Sequence, residues 1–164
     1  KAVFDLMVQA ALDNPALLPT PSFDEDVARP TDLALNTSGT RTEAWLNVRP
    51  GNSRYLFSEV GTEPEIQHRE VTVMIEWVVI GKGTTPGTFE SPRRDRFDAG
   101  LAAMRPILVG PRPITIEGIG YSYLRLADDA VSEVGEQSIL AALPNVTAAS
   151  VEVIIYMAVP SELG

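Results

Sequence analysis

The segment Arg69–Ile80 constrains this chain more than any other. Val71, Val73, Ile75, Trp77 and Val79 recur at every second position, the period of a β-strand and not the 3.6 of a helix. Thr72, Met74, Glu76 and Val78 fill the alternate positions, and that mixture predicts a central strand partly covered on both faces. A strand needs neighbours, and the sequence supplies candidates. Glu43–Arg49 alternates, with Ala44, Leu46 and Val48 on one side and Trp45, Asn47 and Arg49 on the other. Arg54–Val60 is predicted to pair with it as a hairpin across Pro50-Gly51-Asn52-Ser53, four residues with good turn chemistry. Ile114–Leu126 and Ser150–Val159 are two further long strands; in the first, Gly118 and Gly120 mark a bulge or a close backbone approach.

Two segments carry the helical period instead. In Ala2–Asp13, the residues Val3, Phe4, Met7, Val8, Ala11 and Leu12 share a face, and Asp13-Asn14-Pro15 is a stop signal. A second helix is expected from Ser91-Pro92, a capping serine followed by a proline at the first helical position. Its stripe is Phe97, Leu101, Met104 and Leu108, with Pro106 ending or kinking it near Met104–Arg105. Pro15–Thr42 reads as mostly irregular, with Leu33 and Leu35 reaching the core, and a short helix is expected around Gln137–Leu143. The order α-β-β-β-α-β-β predicts one α+β domain over residues 1–164. Its architecture is a single mixed, mostly antiparallel sheet of about five strands with two main helices packed on one face.

Composition narrows the chemistry. At 164 residues the chain can bury one good core. Thirteen basic residues stand against 22 acidic ones, a net charge of −9, which disfavours a surface that grips DNA or RNA. The absence of cysteine excludes disulfides, thiolate nucleophiles and Cys-ligated metal, and the single histidine excludes any site that needs two. No apolar run approaches the roughly 20 residues of a membrane-spanning helix. The first residues lack the basic start and small-residue cleavage site of a signal peptide.

His68 is the natural candidate for acid–base work, because its side chain titrates near neutrality. Its setting, Glu65-Ile66-Gln67-His68-Arg69-Glu70, reads as the polar mouth of a strand and favours a solvent-exposed loop histidine. No Gly-x-Ser-x-Gly elbow accompanies it. The acidic runs Asp24-Glu25-Asp26 and Asp128-Asp129 fall in expected loops, as solvated clusters without the twelve-residue calcium-loop pattern. Gly81-Lys82-Gly83-Thr84-Thr85 lacks the leading glycine and following helix of a phosphate loop and reads as a flexible connection. Gly118-Ile119-Gly120 lacks the third glycine of a dinucleotide turn. No cofactor or metal pattern is present in the sequence. Arg93-Arg94-Asp95-Arg96 is the one concentrated basic run, and it suits ion pairing between subunits at least as well as nucleic acid.

The layout as a whole resembles the tail terminator, or tail-completion, proteins of long-tailed bacteriophages and related gene transfer particles. The resemblance lies in the order of Ala2–Asp13, Ala44-Trp45-Leu46-Asn47-Val48, Val71–Ile80, Phe97–Leu108 and Val151–Val159, together with size and acidity. It implies a structural, non-enzymatic virion protein, assembled in the host cytoplasm. Such a protein forms a homohexameric ring that caps the tail tube, ends its polymerisation and meets the head–tail connector. Its partners would be its own copies, the tail tube protein and the connector protein, with no membrane. In such a ring Arg93, Arg94 and Arg96 would face acids such as Asp24, Glu25 and Asp26 of a neighbour, and an acidic lumen would let DNA pass without sticking. Three alternatives stand beside this: another neck or head-completion ring protein, a small α+β enzyme or ligand-binding module with a pocket near His68, Tyr121 or Tyr123, and a regulatory domain binding through a sheet edge.

Overall fold

The alternating segment forms the middle of a six-stranded sheet. A computed structural model describes residues 1–17, 21–24, 43–82, 86–133 and 145–161. In chain order these form α1 (Ala2–Asp13), a 3₁₀ turn (Pro15–Leu17), β1 (Ser22–Phe23), β2 (Glu43–Glu59), β3 (Ile66–Ile80), α2 (Pro86–Leu108), β4 (Arg112–Pro113), β5 (Ser122–Glu133) and β6 (Val146–Pro160). The strand order is β1-β2-β3-β6-β5-β4. Among the described residues only the short β1–β2 pair is parallel, and the other pairings are antiparallel. The α+β reading therefore holds, with one strand more than expected because β1 and β4 add two-residue edges and the anticipated hairpin is one strand.

The two faces of the sheet follow from alternation. Ala44, Leu46 and Val48 of β2, Val73, Ile75, Trp77 and Val79 of β3, and Val151, Val153 and Ile155 of β6 join one core with Val3, Met7 and Ala10 of α1 and Phe97, Met104 and Leu108 of α2. Both helices thus lie on one face. Trp77 fixes the closest approach: its indole Nε1 donates to the Phe97 carbonyl at 3.2 Å. A Cβ at Gly100 would overlap the same ring, so glycine is what lets α2 lie against the indole. The opposite face buries a smaller cluster of Trp45, Val78 and Ile80, with Val146 and Ala148 packed on it, as expected for a strand covered on both sides.

Four sequence expectations are corrected. Pro50-Gly51-Asn52-Ser53 is no hairpin turn: β2 runs through it, and both halves pair with β3 around a register shift between Pro50 and Ser53. Proline is tolerated there because it stands at this shift, where the ladder is interrupted. Gly51 fits the bulge because a Cβ would meet the Thr72 carbonyl oxygen at 2.7 Å. The second helix starts at Pro86 and not at Ser91-Pro92, so the proline that suits the first helical position is Pro86; Pro92 and Pro106 both lie inside the helix. Pro106 stands in the last turn, where the helix closes at Leu108, and Arg112 Nη1 donates to the Ile107 carbonyl at 2.6 Å. Ile114–Tyr121 is not strand; the chain turns there, with Gly118 at φ +73°, before β5 begins at Ser122. Leu33, Leu35, Gly83–Thr85 and the helix expected at Gln137–Leu143 lie outside the described residues.

Candidate functional site

The strands are long. β2 has 17 residues and β3 and β6 have 15 each, against five or six in an ordinary strand. The helices do not follow them to the end. On β3 the core spans Val73–Val79, while Ile66–Glu70 takes no part in it. Met157, opposite Arg69, is still packed against the core, so at about 3.3 Å per residue the sheet runs on past it by roughly 10 Å. This projecting end is still four strands wide, since Glu59 pairs with Ile66, Ile66 with Pro160, and Ser122 with Met157.

On its helix-free face stands a row of rings, one from each strand: Phe57, His68, Tyr156 and Tyr123. Phe57 stacks on His68 with centroids 4.2 Å apart and planes 13° apart, and Tyr123 stacks on Tyr156 at 4.8 Å and 21°. Tyr121 meets Tyr123 and Tyr156 edge-on. Within each stacked pair the ring faces turn toward one another, while the His68 and Tyr156 planes are tilted by 42° across the gap between the pairs.

His68 is the key of the row, and its placement corrects the expectation of an exposed loop histidine. It lies within β3, is 7% exposed, and has both ring nitrogens engaged. Nδ1 meets the Tyr156 hydroxyl, and Nε2 lies 2.7 Å from Glu59 Oε1. The tautomer that satisfies all three groups has the phenol donating to Nδ1 and Nε2–H donating to the carboxylate. Burial, then Tyr123, Glu59 and Tyr121, hold the Tyr156 phenol above its usual range. It is therefore a protonated donor at neutral pH, which suits a pin between strands better than a nucleophile or base. Glu59, Phe57 and Tyr156 escaped sequence reasoning. Only the alternation that puts His68 and Tyr156 on the same face of the sheet hinted at them.

The predicted interface residues are placed as follows. Asp24 lies 3.9 Å from Arg49 of the same chain, which also reaches Glu76 at 3.5 Å. Glu25 and Asp26 lie outside the described residues. Arg94 is exposed, while Arg93 and Arg96 are half-buried. Burial lowers the Arg96 pKa and Glu43 opposes that shift, which puts Arg96 at the end of the sheet far from the aromatic row. Lys82, expected in a flexible loop, is buried and pairs with Glu43 at 3.5 Å. Among the described residues no group of three or more His, Asp or Glu is arranged to hold a metal ion, and no helix is long and apolar enough to cross a membrane.

Beyond the row, the projecting end exposes large apolar side chains: Tyr55, Phe57, Tyr121 and, at the β2–β3 connection, Val60, which is 97% exposed. Under the sheet on the helix side opens an apolar cavity of ≈ 220 Å³, bounded by the start of α1 and by strands β2, β3 and β6. No protein-family model matches the chain, and no curated protein sequence matches it.

Proposed function

We propose that this chain is a ring-forming structural subunit of a long-tailed bacteriophage or gene transfer particle, the tail terminator that caps the tube and meets the head connector. The observation that carries this reading is the projecting sheet end. It is an extension of four paired strands, pinned by Glu59–His68–Tyr156, that displays tyrosine, phenylalanine and valine to solvent. Exposed aromatic groups on a rigid frame are what protein interfaces use as anchors. The element order supports the same reading: a leading helix, two long strands, a mid-chain helix and two more long strands. So does the charge of −9, which lets DNA pass a lumen without adhering.

Electron microscopy of the purified chain tests the reading. Six-fold rings are expected, alone or seated on the ends of tail tubes. Particles along the tube wall, or a ring of another symmetry at the capsid portal, would favour a different neck component.

A further inference from the structure

We propose that adjacent subunits join by a knob and a socket: Val60 of one copy enters the apolar cavity of the next, between Lys1 and Arg69. The inference rests on the ring reading and names the contact that would build it.

The socket is apolar within and cationic at its mouth. Val71, Ile116 and Met157 line it, and Lys1 stands at its rim. Arg69 stands opposite Met157 in the β3–β6 register, so its side chain leaves the sheet on the cavity's face, two positions along the strand from Val71. That guanidinium is underused. Nη2 donates to Gln67 at 2.8 Å, the buried Nε has no hydrogen-bond partner, and no carboxylate pairs with it among the described residues. A guanidinium carries five N–H donors, more than the bond to Gln67 uses, so a carboxylate brought to this mouth would find donors there.

The knob carries that complement. Val60 is almost fully exposed, and the segment Glu59–Glu65 holds three glutamates and no basic residue. Glu63 and Glu65 are themselves exposed. The knob cannot fill its own socket, because Val71 lies five strand residues beyond Ile66, about 16 Å further along the same rigid ribbon. Only a second copy can bring the two together. The contact joins unlike patches of identical subunits, the kind that closes into a ring when the rotation allows.

Analytical ultracentrifugation of two variants tests this. Val60→Asp removes the knob and keeps the socket; Arg69→Glu does the reverse, with Lys1→Glu as a second socket variant should Arg69→Glu fold poorly. Each alone is expected to need at least roughly tenfold more protein to assemble than wild type. An equimolar mixture of Val60→Asp and Arg69→Glu should form a one-to-one dimer that grows no further, since one functional knob meets one functional socket. Rings of wild-type stability from both single variants would overturn the contact and leave the ring reading standing. Variant rings that form normally but no longer seat on tubes would also overturn it, and assign the cavity to the tube protein. A wild-type chain that stays monomeric at all concentrations, even with tube ends present, would overturn both.

Discussion

Trp77→Ala is expected to destabilise the domain by about 3–5 kcal/mol, a large share of the roughly 5–15 kcal/mol that keeps a domain of this size folded. Trp77 is fully buried at the centre of β3, where it holds α2 against the sheet and donates its only polar hydrogen to the Phe97 carbonyl. A midpoint of thermal unfolding lower by roughly 10 °C or more should follow. Gly100→Ala, made alone, is expected to cost about 1–3 kcal/mol, because the new methyl overlaps the indole. In the Trp77→Ala background that cost should vanish or reverse, since the overlap is gone and alanine favours a helix over glycine by about 1 kcal/mol. Urea titrations of the four proteins measure this directly. Additive losses would show that Gly100 is not there to admit Trp77.

His68→Ala should cost about 2–4 kcal/mol, from two polar groups left without partners and a lost ring stack. The Tyr156 hydroxyl and the Glu59 carboxylate lose their shared partner, and Phe57 loses the surface it stacks on. Tyr156→Phe, which keeps the ring and removes only the hydroxyl, should cost about 1 kcal/mol. The damage should be local: amide hydrogens of Phe57–Glu59 should exchange faster in His68→Ala while those of Val73–Val79 change little. Equal loss of protection across β3 would mean that the pin supports the whole sheet and not its projecting end.

Much of the fold was legible because alternation is a local signal. Val71–Val79 and Val151–Val159 declare their buried faces without help from the rest of the chain, and both proved to be core strands. Errors arose where one local pattern serves two structures. Pro-Gly-Asn-Ser is turn chemistry, and it is also what a bulge accepts; the choice was made by β3, twenty residues away, pairing with both halves. Ser91-Pro92 and Pro86 compete for one helix start, and the chain leaving β3 near Lys82 reaches Pro86 first. The site was less legible than the fold. Gln67, Arg69 and Glu70 make His68 look exposed, yet its partners lie 9 residues before it and 88 after it. No window along the sequence contains that cluster, and the projecting end exists only because four separate strands are long together.

Growth of the tail tube measures the central claim most directly. Tube protein polymerising with added chain should give tubes that stop at an early length and carry a ring on one end, with the stop absent for Val60→Asp. Tubes that lengthen at the same rate and to the same extent with and without the chain would contradict the account.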